Sequence, residues 1–270
     1  MAYTTIDNPG LYFNTVLYTG NGSAGHSITG VGFQPDWVWI KNRTTAKHML
    51  YDAVRGATKA IFSNENTAEN TSSGHLTAFG TDGFTLGDNS GTGSTNGSSE
   101  NYASWNWKGA NGTASNGDGS ITSTVSVNTT AGFSIVSYTG TGANATVGHG
   151  LGVAPNMIIN KCRSASQNWA TYHSSLGGTK ALFLDGTDAE TTSSSYFNDT
   201  APTTSVFTVG TSGDTNKSSQ THISYCFAEK KGYSKFGKYV GNGNADGTFV
   251  YTGFAPAFVL SKCTSHAGEN

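Results

Sequence analysis

Seven histidines, three cysteines, a Tyr-Asp-Ala-Val-Arg phrase, a scatter of carboxylates and two tryptophan pairs carry whatever chemistry this 270-residue chain could do. His26, His48, His75, His149, His173, His222 and His266 lack the spacing that puts metal ligands on one element. Loop or surface roles are therefore expected for them. Cys162, Cys226 and Cys263 are too few and too dispersed for a disulfide framework or a zinc site, so free thiols are expected. Asp52 and Arg55, in Tyr51-Asp52-Ala53-Val54-Arg55, could contact a ligand, but a structural ion pair or turn cap is the simpler reading. Asp36, Asp52, Glu65, Glu69 and Asp82 could supply a glycosidase pair only if folding set two of them at a catalytic separation. Gly20-Asn21-Gly22 and Gly91-Thr92-Gly93 are followed by neither a helix signal nor Gly-Lys-Ser/Thr, and they read as hairpin turns rather than phosphate loops. No catalytic, metal-binding or cofactor-binding residue is assigned, no cofactor is called for, and the ligand-binding residues are left open. The chain reads as a non-enzyme.

The elements that must position these residues announce themselves by repetition. Tyr18-Thr19-Gly20-Asn21-Gly22 returns as Tyr138-Thr139-Gly140-Thr141-Gly142 and as Tyr239-Val240-Gly241-Asn242-Gly243. Each Tyr is followed at a fixed distance by a Pro (Pro35, Pro155, Pro256) and each Pro by a Lys (Lys41, Lys161, Lys262). Between Pro and Lys lie Trp37-Val38-Trp39-Ile40, Met157-Ile158-Ile159 and Phe258-Val259-Leu260. Further on, Thr58–Phe62 answers Thr179–Phe183, Phe84–Gly87 answers Phe207–Gly210, and Ala103–Trp107 answers Ile223–Phe227.

Within these phrases the apolar period is two, as in Ala103-Ser104-Trp105-Asn106-Trp107, which marks half-buried strands. The segment from Pro35 to Lys41 is apolar on both parities and suits a central strand covered on both faces. Gly-x-x-Pro before it, at Gly32, Gly152 and Gly253, supplies a turn. Leu50–Arg55 could form a helical turn. The expected fold is all-β: tandem β-sandwich repeats of jelly-roll or lectin-like type, the third incomplete. The boundaries read as an N-terminal arm over 1–10, a first sandwich over 11–108, a Gly/Ser/Thr/Asn linker over 109–130, a second sandwich over 131–234, and the start of a third over 235–270. The recurring lysines are expected to be solvated strand ends that blunt edge pairing, with specific contacts or isopeptide links as alternatives. The Trp37/Trp39 and Trp105/Trp107 pairs could form a sugar-stacking platform. The second copy replaces them with Met157/Ile159 and Tyr225/Phe227, which keeps the bulk and loses the indoles, so core packing is expected.

Composition agrees. Charged residues are 12%, about half the usual quarter, and a net charge of −2 argues against a nucleic-acid binder. Glycine, at 36 residues, is about twice its common share, while 14 Phe, 12 Tyr and 5 Trp exclude simple disorder. No apolar run approaches the ~20 residues of a membrane span, so no membrane insertion is expected. The opening residues lack the basic start and apolar core of a signal peptide, so synthesis in a cytoplasm is expected.

The phrases Tyr18–Gly22, Gly32–Lys41, Tyr51–Gly56 and Tyr225–Glu229 together resemble a β-rich repeat family found in virion structural proteins of tailed bacteriophages. That resemblance spans nearly the whole chain. It implies a place in the virion, as a tail fibre, an appendage or a capsid decoration, with adhesion to the host surface. The partners implied are other virion proteins, further copies of the chain in a trimer or ring, and a host surface glycan, with no nucleic acid. The alternative function is a glycan depolymerase or a lectin-like carbohydrate-binding module on a phage appendage.

Overall fold

The computed structural model describes residues 4–44 and 47–268. The fold is all-β, and among the described residues helix is limited to a 3-10 turn at Pro9–Leu11 and two four-residue turns, α1 (Ser194–Phe197) and α2 (Gly213–Asn216). The N-terminal half contributes β1 (Phe13–Thr19), β2 (His26–Ile28), β3 (Trp37–Asn42), β4 (His48–Asp52), β5 (Lys59–Phe62), β6 (Asn70–Thr71), β7 (Leu76–Gly80), β8 (Gly83–Leu86) and β9 (Asn101–Trp107). The C-terminal half adds β10 (Ala114–Asn116), β11 (Ser123–Asn128), β12 (Phe133–Thr139), β13 (Ala145–Gly148), β14 (Met157–Cys162), β15 (Ala170–His173), β16 (Lys180–Phe183), β17 (Thr191–Thr192), β18 (Val206–Val209) and β19 (Thr221–Phe227).

Two large antiparallel sheets dominate. One runs β1-β9-β3-β4-β5-β6 and the other β10-β11-β12-β19-β14-β15-β16-β17. From β12 onward the second follows the same order as the first, with Phe13 facing Trp107 as Phe133 faces Phe227. A small sheet, β2-β8-β7, covers one face of the first large sheet, and β13-β18 covers one face of the second. Where the first sandwich has β7, the second has α1, which buries Phe197 in the same core.

The pleat sorts the side chains. Even-numbered Val38, Ile40 and Tyr102 turn into the first sandwich against Phe84 and Leu86. Odd-numbered Trp37, Trp39 and Trp107 turn the other way, toward Phe133, Ile135, Ile159, Ile223 and Tyr225 of the second large sheet. The two large sheets therefore share a third core, and the layers stack small, large, large, small. This explains why β3 is apolar on both parities: it lies inside its sheet with a core on each face.

The Tyr-Thr-Gly phrase has a packing cause. Tyr18 Oη donates to Thr95 O at 2.8 Å and Tyr138 Oη to Thr215 O at 2.5 Å, tying each loop before β9 or β19 to the start of the sandwich. A Cβ on Gly20 would lie 2.3 Å from Gly97 O, and one on Gly140 would lie 2.4 Å from Lys217 O, so only glycine lets those loops close.

Several expectations are corrected. Residues 109–130 are not a flexible linker: they form β10 and β11, and Ile121 and Val125 enter the second core. Alternation in Ser123-Thr124-Val125-Ser126-Val127 presents valines on one face, a strand pattern set within a polar composition. Leu50–Asp52 belongs to β4, and a short turn, not a helix, follows. The two Gly-rich pieces close no hairpins, because Gly20–Gly22 leads from β1 to β2 and Gly91–Gly93 from β8 to β9, crossing between sheets each time. Residues 235–268 carry no strand, and Val240, Phe249, Tyr251 and Val259 are exposed.

Candidate functional site

The most heavily built region is the junction between the two large sheets. At its centre Trp37 stacks on Tyr225, ring centroids 4.3 Å apart, and lies 4.3 Å from Trp107 and 5.7 Å from Phe133. Each such aromatic pair adds about 0.5–1.5 kcal/mol beyond the area it buries. The Trp169 indole passes into the first sandwich's loop and donates through Nε1 to Phe62 O at 2.8 Å and Glu65 O at 3.1 Å.

An ion network borders the rings. β4 ends at Asp52, whose Oδ1 accepts from Arg55 N at 2.8 Å, so Asp52 caps the turn. The Arg55 guanidinium binds Asp52 Oδ2 through Nε, Leu50 O through Nη2, and Lys59 O and Glu69 Oε2 through Nη1. Arg163 of the second sandwich grips Glu69 with two bonds of 3.0 Å, and Tyr225 Oη donates to Asp52 Oδ2 at 2.7 Å. Burial works to raise the Glu69 pKa, but the hydrogen bond and charge of Arg163, with the charge of Arg55, outweigh it and hold the carboxyl below its usual range. Burial likewise opposes the Arg55 charge, and Asp52, Tyr225 and Glu69 overcome it and keep the guanidinium protonated. Buried charges survive only when paired in this way.

Lys161 was expected in solvent and is instead fully buried, donating through Nζ to Asn66 O at 3.0 Å and Gln167 O at 2.7 Å. Burial lowers its pKa to about 8. The unfolded chain, with its lysine near 10.5, binds more protons between those values, so this residue makes stability rise with pH from about 8 to about 10.5. Lys262 donates to Gly186 O at 2.7 Å, and Lys41 is half-buried. A strand-end lysine has no sequence mark that says another sheet will close over it.

At the rim of the junction a groove of about 330 Å³ is lined by Trp39, Lys41, His48, Trp105, Phe258 and Leu260. Phe258 lies 5.5–6.3 Å from the rings of Phe13, Trp39, Trp105 and Trp107. The Trp39 Nε1 is buried without a hydrogen-bond partner among the described residues. Chemically the groove offers flat apolar walls with cationic and imidazole groups at its edge.

The other sequence candidates disperse. His75, His149 and His222 are buried rather than superficial, and among the described residues no group of His, Cys, Asp and Glu could hold a metal ion. Burial lowers the His222 pKa to about 4, and Lys217 N donates to its Nε2 at 3.1 Å. Asp36 is buried and its Oδ2 accepts from Gly109 N at 2.7 Å and Asn111 N at 3.2 Å, while burial raises its pKa. Exposed Asp82 accepts from Gly30 N and Gly32 N and thereby fixes the turn before Pro35. Glu65 pairs with Lys47 at 2.7 Å. Each carboxylate weighed for catalysis is thus engaged in holding a turn or a sheet. Trp37, Trp39 and Trp107 are buried, with Trp105 half-buried, so the pairs serve packing first. Cys162 and Cys226 are buried thiols.

Residues 8–270 match the model of a family described as Domain of unknown function (DUF7483). The chain belongs to that family. No curated protein and no solved structure matches it. For this DUF7483 chain, then, the functional reading rests on the junction and its groove. Sequence reasoning missed the Glu69–Arg163 contact and the burial of Lys161. The one available signal was the second copy's Trp169, a lone large aromatic in a loop. No helix among the described residues is long and apolar enough to cross a membrane.

Proposed function

We propose that this protein is a non-catalytic structural component of a tailed-bacteriophage particle, displayed outward as a fibre, appendage or capsid decoration, held by other virion proteins and adhering to the host surface. The observation that carries the reading is the shared junction. Two sandwiches bury one aromatic layer and one ion network between them, and bonds such as Arg163 to Glu69 and Tyr225 to Asp52 tie residues far apart in the chain. Load applied to such a body is borne by sheet packing and not by a tether. Its sparse charge and abundant Ser, Thr and Asn suit a displayed surface, and the family resemblance of the recurring phrases supports the virion setting. Mass spectrometry of particles banded on a density gradient tests the proposal: peptides of this chain should co-purify with the capsid protein at constant ratio, and an exterior antibody should label the particles. Peptides confined to the soluble lysate would overturn it.

One observation favours a second reading, a lectin-like module: the groove walled by Trp39 and Trp105 presents indole surface of the kind sugars stack on. Incubation with host surface polysaccharide separates the versions. Retention without new reducing ends indicates binding, new reducing ends indicate a depolymerase, and neither leaves the structural role.

A further inference from the structure

The chain crosses from the first sandwich to the second at residues 108–111, and the crossing is held from both sides. Gly109 N donates to Asp36 Oδ2 at 2.7 Å, and Asn111 N to the same oxygen at 3.2 Å. On the other side, Ala110 N donates to Ser126 Oγ at 3.0 Å and Asn128 Nδ2 to Lys108 O at 3.2 Å. A Cβ on Gly109 would lie 2.8 Å from Ser126 Oγ and 3.0 Å from the Asp36 Cβ, so the fit is close.

A carboxyl is more than this task requires. The residue one past Pro155, matching Asp36 one past Pro35, is Asn156. Its Oδ1 accepts from Glu229 N at 2.8 Å, the same bond that Asp36 makes to Gly109 N. A neutral amide therefore suffices to hold the chain. The first sandwich instead buries an acid, whose Oδ1 has no hydrogen-bond partner among the described residues. Burial raises the Asp36 pKa, aided by the charge of Asp52 and opposed by the bonds from Asn111 and Gly109 and by the charge of Lys108. A buried carboxyl that keeps its proton can donate it.

The group beside that acid is the one it would serve. Asn111 is exposed, has φ +53 and precedes Gly112. Its Nδ2 donates to Asp36 Oδ2 at 2.8 Å and to Gln34 O at 3.1 Å. Gly112 N makes no hydrogen bond among the described residues, and a Cβ on Gly112 would meet nothing within 4 Å. A glycine with this much room can turn its nitrogen onto the preceding side chain.

We infer that Asn111 is a self-modification site: Gly112 N closes on the Asn111 Cγ, ammonia leaves, and Asp36 is the general acid that protonates the departing nitrogen. The N–Cγ bond forms as the Gly112 proton passes to water. The Cγ–Nδ2 bond breaks as Nδ2 takes the Asp36 proton, which water then restores. The cyclic imide adds one water and opens to aspartate or isoaspartate. One water is consumed and one ammonia released, with no oxidant or other reactant. The product sets a carboxylate against Asp36 where a donor stood, and the hold on Gly109 weakens.

Of the other four Asn-Gly pairs, three are held shut. Gly22 N donates to Asn96 O and Gly97 N to Tyr102 Oη, each at 2.8 Å, so neither nitrogen is free to attack. Asn116 also meets a carboxylate, Asp118 Oδ2 at 3.0 Å, but it ends β10, paired with Ser123, and its amide is wedged against Gly148. The fourth, Asn242, is exposed and donates to a carbonyl, Asp246 O, at 2.9 Å, which makes it an internal reference without an acid on its amide.

The test follows the deamidation mass gain at each pair by peptide mapping of the full chain held for weeks near neutral pH. Digestion in oxygen-18 water marks any conversion that occurs during handling. Asn111 should convert at least fivefold faster than Asn242, with Asn21, Asn96 and Asn116 slower than both. Asp36→Asn, the residue the second copy uses, should slow Asn111 at least threefold and leave Asn242 unchanged. In concentrated urea the two chains should convert alike. The wild-type ratio of Asn111 to Asn242 rates should fall from pH 4.5 to pH 8 as Asp36 gives up its proton, a reading that needs no variant to fold. Asn111→Asp should speed hydrogen exchange at the Gly109 amide at least tenfold. Equal Asn111 rates in the wild type and in folded Asp36→Asn would overturn the inference. So would a ratio independent of pH, Asn111 converting no faster than Asn242, or unchanged Gly109 protection in Asn111→Asp.

Discussion

The two sandwiches place a ring pair at the same point and give it different edges. Tyr18 stacks on Tyr102 with centroids 5.0 Å apart and 12° between planes, and Tyr138 stacks on His222 at 5.1 Å and 11°. In the first, the Tyr102 hydroxyl joins Ser94, Glu100 and the Gly97 amide. In the second, the imidazole accepts from Lys217 N at 3.1 Å and faces Asn160 across 3.4 Å. The backbone frame fixes the stack, while the polar rim is free to change, and with it the response to acid. The turn after the fourth strand differs in the same way: Asp52 and Arg55 of the first sandwich correspond to His173 and Leu176 of the second, so only one of them holds an ion pair there.

That second difference should give the largest effect. Arg55→Leu makes the first turn resemble the second but leaves the Asp52 carboxylate buried without its cation. Stability should fall by about 3–5 kcal/mol, read from the urea midpoint. A loss below about 1 kcal/mol would mean that the pair is idle.

The ring stacks separate next, by pH. His222 has a folded pKa lowered to about 4 against 6.5 for the free side chain. Between those values the unfolded chain binds more protons, so stability rises with pH from about 4 to 6.5 and is lost on acidification. The size of the effect is about 3 kcal/mol. His75, His149 and His173 are shifted the same way by burial and add to it. Urea titrations at pH 4.5 and 7 should show a flatter dependence in His222→Gln than in the wild-type chain. Equal slopes would remove His222 from the account.

A glycine series sharpens the comparison at smaller cost. Gly20→Ala and Gly140→Ala should each destabilise by about 1–3 kcal/mol, because the new methyl meets a backbone oxygen that cannot swing aside. Gly241→Ala should stay within about 0.5 kcal/mol, since nothing lies near it. Three equal losses would show that the glycines serve the turn alone and not the approaching loop.

Much of this was legible in the residues. The Tyr-to-Pro-to-Lys spacing and the period of two marked the strands, and the double-sided apolar run at Trp37–Ile40 marked a strand with cores on both faces. What was hidden depends on the meeting of distant pieces. Lys161 reads as a solvated strand end until the loop around Asn66 closes over it. Glu69 reads only as one of five scattered carboxylates until Arg163 reaches it from the other sandwich. β11 was hidden for a different reason, because Val125 and Val127 alternate within a stretch whose overall composition is that of a loop.

All these features depend on the two sandwiches behaving as one body joined at Trp37, Tyr225 and the Glu69 network. Differential scanning calorimetry of the full chain tests that most directly. One transition is expected, with calorimetric and van't Hoff enthalpies agreeing to a ratio of about 1. Arg55→Leu should shift that whole transition to lower temperature without splitting it. Two resolved transitions in the wild-type chain, with Arg55→Leu moving only one, would contradict the account.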